Sequence, residues 1–273
     1  MRLPTILERF SAEDLARGRK VIELKRHFES IARRWHTLSP EEQAQLRKQN
    51  VAPQQLRDTN AFVYAFEPEW FIFAALGLQR WHHASYVETD ISGIRVVPPW
   101  IVAGGLRKRA WFDLDFSTFL NLVPSLDAAT LEGDDGHGST TSWLKPFPLL
   151  WAKEGKNRIQ CYQDTETTLL TDTRTCDALP ASLLRLYRSV VSSSVWILRY
   201  VGGDPFWDRK VADMETAMRS GRPFRSILPF PEVGVPLLLN YGVKVDRGWD
   251  LPWRIGEAAK QEESRRVRAH GWI

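Results

Sequence analysis

The sequence predicts an α+β fold, a small mixed sheet with flanking helices, preceded by an N-terminal helical hairpin. Three observations predict it. Residues 11–53 carry apolar residues at helical spacing with two helix-start signals. Residues 91–97, 147–152 and 195–201 are short β-rich runs bounded by Pro or Gly. Helical stretches lie between these runs, with no internal repeat and no low-complexity segment. At 273 residues, 43% hydrophobic and 26% charged, the chain can fill a core, and one globular unit is expected. Its segments are residues 1–60, an N-terminal helical segment; 61–205, the core; and 206–273, an extension packed on that core.

Ser11-Ala-Glu-Asp opens the first helix with a good cap and early acids. Leu15, Val21, Ile22, Leu24, Phe28, Ile31 and Trp35 form its apolar stripe, and Arg17, Arg19, Lys20, Lys25, Arg26, Arg33 and Arg34 surround it. A basic face of this kind reads first as solvated surface over a core, and second as a contact for nucleic acid. Ser39-Pro40-Glu41-Glu42 starts the second helix of the hairpin, which ends near Val51-Ala52-Pro53. Pro68 starts a helix from Glu69 onward. Ile91–Val97 reads as a strand broken by Pro98-Pro99, and Asp115–Leu126 as a helix with an acidic start. Residues 132–142, from Glu132 to Ser142, read as a flexible polar loop.

Phe147–Ala152 is a compact apolar strand, followed by a turn at Lys153–Gly155 and a short helix from Lys156 to Gln163. Thr167–Thr171 is a further strand, Pro180–Ser192 a helix and Val195–Val201 a strand. Met214–Ser220 is helical, Leu228–Val235 a Pro-broken loop, Leu237–Val245 a strand and Ile255–Val267 a charged terminal helix.

Charge and cysteine content narrow the function. A net charge of +4 permits an anionic partner without requiring one. Residues 1–50 hold 11 Lys and Arg against 7 Asp and Glu, so the excess is uneven. Twelve Trp serve as core or interface anchors. Cys161 and Cys176 fit neither a metal spacing nor a disulfide framework, and the adjacent His82 and His83 have no third ligand at a recognisable spacing. The start MRLPTILERF has no apolar signal core, and the apolar run around Trp70–Leu78 is too short to span a bilayer. A cytoplasmic protein without membrane insertion is expected.

The chemistry concentrates at Gly155, Lys156, Asn157 and Arg158, between a buried strand and a short helix. Gly155 can adopt positive φ at the turn. The helix start offers N–H groups to an anion, and Lys156 and Arg158 add charge there, Arg with bidentate geometry. These are the parts of a phosphate cradle, and the ordinary alternative is a plain turn with solvated basic residues. Were hydrolysis to occur, carboxylates would have to hold a metal or orient water. Glu154 beside the turn and Asp134 and Asp135 on the preceding loop are the candidates, with His137 between two glycines as a mobile base. The ordinary role for each is that of a solvated loop residue.

The order of strand, Pro-containing bend, helix, polar loop, Pro-flanked strand and Gly-x-x-Arg at a helix start resembles the ParB/sulfiredoxin superfamily across residues 91–201. Members carry a Gly-x-x-Arg box that binds nucleotide phosphates. The resemblance implies that Gly155-Lys156-Asn157-Arg158 is that box and that ATP or CTP, with Mg, is its ligand. Sulfiredoxins place a catalytic Cys where this chain has Lys156, so their reductase chemistry is not implied. The second basic box and helix-turn-helix of partition proteins are not found. What remains is similar to the branch that includes plasmid fertility-inhibition factors, with which ATPase and DNase activity is associated. The partner implied is then DNA or a component of a DNA-transfer apparatus. Two alternatives stand beside it: a non-catalytic inhibitor acting by protein–protein interaction, and a helical DNA-binding regulator using the N-terminal basic helix.

Overall fold

Ser11 and Asp14 start the first helix as a reciprocal cap. Ser11 Oγ accepts from Asp14 N at 3.1 Å, and Asp14 Oδ2 accepts from Ser11 N at 3.3 Å. The helix they open is α1, Ala12–Thr37, in a computed structural model that describes residues 10–37, 39, 41, 67–78, 86–89, 92–105, 115–133, 138–188, 195–217 and 225–246. Two of its basic residues pair within the helix, Arg17 with Glu13 at 2.6 Å and Arg19 with Glu23 at 2.9 Å, whereas Lys25, expected on the solvated face, is buried. Val21 and Ile22 are buried while Arg19 and Lys20 are exposed, so this part of α1 has a solvated charged face and a core face. The second helix of the expected hairpin, the His82–His83 pair and the charged terminal helix lie outside the described residues.

The architecture is mixed α+β with two mixed sheets. The chain forms two compact units that interleave in sequence: residues 1–25, 66–72 and 86–178 in the first, and 26–65, 73–85 and 179–273 in the second.

The first unit is built on six strands: β1 (Tyr86–Thr89), β2 (Ile94–Val97), β3 (Val102–Ala103), β4 (Thr140–Lys145), β5 (Leu150–Glu154) and β6 (Leu169–Ala178). The ten-residue β6 is the spine, with β1 and β2 antiparallel along one side and β4 parallel along the other. The antiparallel β4–β5 hairpin then leads to β3, parallel to β5. Trp143 Nε1 closes the hairpin by donating to Phe147 O at 2.8 Å.

Helix α3 (Phe116–Glu132) starts at Asp115, whose carboxylate accepts from Thr118 N at 2.8 Å. It buries Phe119 and Leu126 in a core with Val97, Trp143, Leu150, Tyr162 and Leu169. The sequence predicts the start of this helix correctly but ends it six residues early. Helix α2 (Pro68–Ala75) begins at Pro68 as expected.

Ser139-Thr-Thr-Ser142 is buried sheet rather than flexible loop. Its hydroxyls resemble loop composition, yet Thr140 Oγ1 accepts from Glu154 N at 3.1 Å and the Thr141 and Thr173 hydroxyls meet at 3.1 Å, while Ser142 Oγ is buried without a partner among the described residues.

The second unit carries β7 (Leu184–Arg188), β8 (Trp196–Tyr200), β9 (Arg225–Ile227) and β10 (Lys244–Asp246), in the order β10-β7-β8-β9. Helices α5 (Pro205–Ala217) and α6 (Pro231–Asn240) belong to it. The expected helix over Pro180–Ser192 is instead a 3-10 turn, Ala181–Leu183, leading into β7. Leu184 and Leu186 are buried while Arg185 and Tyr187 are half-buried, the two-residue period of a strand. The expected loop at Leu228–Val235 becomes α6 because Pro231 occupies the first helical turn, where a missing N–H costs nothing. The strand expected at Leu237–Val245 is the end of α6 followed by β10.

Thr130 ties α3 to β4. Its hydroxyl donates to Leu126 O at 2.9 Å and accepts from Ser139 N at 3.0 Å, all buried. Thr130→Val keeps the shape and strands the Ser139 N–H, so we expect a loss of about 1–3 kcal/mol in urea unfolding. An unchanged midpoint would show that this contact does not hold β4 in place.

Candidate phosphate-binding site

Burial along β5 decides where the strand ends. Leu150, Trp151 and Ala152 are buried, Lys153 is half-buried and Glu154 is exposed. Gly155 then reverses the chain at φ 73°, a conformation that strains any residue with a Cβ. Arg158 N donates to Gly155 O at 2.9 Å and closes the turn. Gly105 N donates to Lys156 O at 3.0 Å and pins the turn to the chain leaving β3. The approach is close at this point: a Cβ on Gly104 would lie 2.6 Å from Ile159 Cβ and 2.9 Å from Lys156 O.

Arg158 folds beneath the turn and is 7% exposed. Its Nη2 donates to Gly138 O at 2.8 Å, and a Cβ built on Gly155 would sit 2.9 Å from that same nitrogen. Burial lowers its pKa, opposed by the neighbouring Tyr162 and Glu154. An arginine keeps its charge under such a shift. Arg158 therefore joins the 155–158 turn to the first residues of β4.

Lys156 takes a different position, at the lip of the turn, with Nζ 3.6 Å from Glu67 Oε2 and its side chain 22% exposed. Asn157 is half-buried. The helix that follows is shorter than the sequence suggests: residues 156–158 are turn, and α4 spans only Ile159–Asp164. Six residues carry a weak dipole, so the electrostatics of the site rest on Lys156, Arg158 and the turn.

Glu154 stands at the end of β5, its N–H donating to Thr140 Oγ1 at 3.1 Å. Asp134, Asp135 and His137 lie outside the described residues. The residues that bracket them are described: Gly133 caps α3, and Gly138 is the residue whose carbonyl Arg158 holds.

The fold adds residues that the sequence did not single out. Asp127, Thr130, Ser139, Tyr162 and Thr171 form a polar seam between the C-terminal half of α3 and the start of β4. Tyr162 packs edge-on to Phe119 at 4.9 Å. Burial, then the charge of Asp127, push its hydroxyl up to about 12 against the opposing pull of Arg158. One carboxylate oxygen of Asp127 is buried without a hydrogen-bond partner among the described residues, and desolvation raises its pKa. The signal for Asp127 was available: it is the one charged residue in the run from Phe116 to Leu131.

Among the described residues no group of three or more His, Cys, Asp or Glu is placed to hold a metal ion, and no helix is long and apolar enough to cross a membrane. Cys161 lies half-buried on α4. Cys176 is on β6, not on a loop, and burial pushes its thiol up to about 12. No known protein family, characterised protein or solved structure matches the chain.

Asp127 makes a prediction with a definite sign. Its folded pKa lies above the ordinary value of 3.8, so the folded protein holds the proton more tightly than the unfolded chain. Its contribution favours folding below that value and is lost as pH rises through the raised folded value. Asp127→Asn removes the penalty. The stability of the variant relative to wild type, from urea midpoints, should therefore increase from about pH 4 toward neutrality. A difference that does not change with pH would place the carboxylate in water.

Proposed function

We propose that the Gly155–Arg158 turn binds the phosphate of a nucleotide such as ATP or CTP, in a protein that acts on DNA or on a DNA-transfer apparatus. One observation carries the reading. A glycine at positive φ reverses the chain at the end of a buried strand, with a guanidinium braced beneath it and Lys156 at its lip. Such a turn directs backbone N–H groups toward one point, and nearby cations favour an anion there. The order of β2, β3, α3, the β4–β5 hairpin, the turn, α4 and β6 supports a ParB/sulfiredoxin-like arrangement for residues 91–201, and with it a role like that of plasmid fertility-inhibition factors.

The two cations differ in role. Lys156 supplies charge to the ligand, and Arg158 shapes the turn that receives it. Glu154 is the described candidate for an acid that would assist hydrolysis; the reading proposed is binding.

Calorimetry with ATP and CTP tests it. The Lys156–Glu67 pair is half-exposed, so Lys156→Ala should leave stability within about 1 kcal/mol. Nucleotide affinity should fall by about tenfold or more, the loss of one charge-assisted contact. Equal affinity in wild type and variant, or no nucleotide binding by wild type, would remove the turn from consideration.

A second reading, an inhibitor that works by protein contact, is favoured by the outer face of α3. Phe116, Leu120 and Leu131 are 57%, 37% and 60% exposed, in line with exposed Pro124 and Ala128. Spacings of three and four residues place all five on one stripe. In a plasmid-transfer assay, replacing Phe116, Leu120 and Leu131 by Ser should abolish inhibition while nucleotide affinity stays unchanged. Inhibition that survives the triple change would exclude this face.

A further inference from the structure

The register of the second unit's sheet aligns four cations in one row. Lys244 on β10 is opposite Arg185 on β7, Arg185 is opposite Arg199 on β8, and Arg199 is opposite Arg225 on β9. Each of the four strands contributes one. Neighbours in a row share a face, so the positions follow a single line across the sheet. At about 4.8 Å between strands, three intervals make a line of about 14 Å.

The opposite face of the sheet is core, where Leu184, Leu186, Leu198 and Tyr200 are buried. On the cationic row Lys244 and Arg199 are exposed and Arg185 is half-buried. Arg185 Nη1 donates to Ser182 O and Leu184 O, at 2.9 and 2.7 Å, which fixes its guanidinium at the start of β7. Among the described residues Arg199 and Lys244 have no ion-pair partner. The acid in the next row, Asp246, accepts a hydrogen bond from Tyr187 at 3.2 Å.

Like charges set directly opposite one another destabilise a sheet. Three such pairs in succession are a cost that folding alone does not explain. A ligand carrying regularly spaced negative charges would offset it, and a nucleic-acid backbone has that form. The geometry also selects the form of nucleic acid. The grooves of B-DNA admit a helix or a two-stranded ribbon, whereas this row is four strands wide and lies on a sheet face. A single strand can lie along it.

We propose that this face of the second sheet is a binding surface for single-stranded DNA, with Lys244, Arg185 and Arg199 following its phosphates. The surface is separate from the Gly155–Arg158 turn, and only the choice of DNA over RNA rests on the proposed function.

Fluorescence anisotropy of the full chain with labelled oligothymidylate tests the proposal. Arg199→Ala/Lys244→Ala should weaken binding by about tenfold or more and reduce the slope of log affinity against log salt by about 1.4, two contacts on a single strand. Arg174→Ala, an exposed arginine on β6 of the other sheet, should change neither. Calorimetry with ATP should be the same for the double variant and wild type, which separates a failure here from a failure at the turn. Circular dichroism of the double variant should overlay that of wild type. No oligothymidylate binding by wild type would overturn the proposal, as would an equal loss in Arg174→Ala. Tighter binding of duplex DNA, of an oligoribonucleotide or of polyglutamate would show that the row serves a different partner.

Discussion

Arg158 donates from Nη2 to Gly138 O at 2.8 Å, beneath a turn that Gly155 makes at φ 73°. The rest of the candidate site depends on this contact. The guanidinium occupies the space a Cβ on Gly155 would need, so the glycine and the arginine require each other. A buried cation is costly unless its charge is matched by hydrogen bonds. The Gly138 carbonyl supplies one acceptor, and the nearby Glu154 and Tyr162 favour the charged form. In return the start of β4 is held against the end of β5, which brackets residues 134–137 between a helix cap and a fixed carbonyl.

Around that contact the first unit departs from an ordinary apolar interior. Its core of Val97, Phe119, Trp143, Leu150 and Leu169 gives way to hydroxyls where α3 approaches β4. Thr130, Ser139, Thr141, Thr171 and Thr173 satisfy one another in pairs, so the seam is polar without being solvated. Asp127 is the exception, with one buried oxygen that has no partner among the described residues. A carboxylate is an expensive group to leave in that position, and the α3 backbone would tolerate an amide or an alanine equally well. Its presence beside Tyr162, itself close to Arg158, sets a titratable acid two groups away from the brace of the turn.

Local rules were legible wherever they stood alone. The Ser11 cap, Pro68 at a helix start, the Asp115 cap and the glycine turn at 155 each rest on one or two residues whose backbone preference is strong. The β-rich run that forms β8 was equally clear. Elements were misread where two rules competed. Ser139–Ser142 has the composition of a loop, and only its partners on β6 make a buried strand of it. Leu183-Leu-Arg-Leu-Tyr-Arg188 places leucines at intervals that suit either a helix or a strand, and pairing with β8 decides between them. Pro231 and Pro236 suggested a broken loop, yet the first sits where a helix accepts proline. At the site, Gly155 and Lys156 were visible from residue type and order. The inward fold of Arg158 was not, because its acceptor is a backbone carbonyl twenty residues away.

The two anion-directed surfaces proposed here differ in the ligand geometry each can recognise. The turn offers one point, a chain reversal at Gly155 with Arg158 packed beneath it and Lys156 at its lip. A closed geometry of that kind discriminates by shape and takes one phosphate at a time. The row on the second sheet offers a line, exposed at Lys244 and Arg199 and half-buried at Arg185. An open line discriminates poorly by shape and responds to charge density, so its affinity is set by how many phosphates it neutralises and falls with salt accordingly. A small nucleotide presents too few charges to span about 14 Å of sheet, and an extended strand cannot enter a turn closed by Gly105 and Arg158. The two surfaces therefore need not compete for the same ligand, even though phosphate is the group proposed for both.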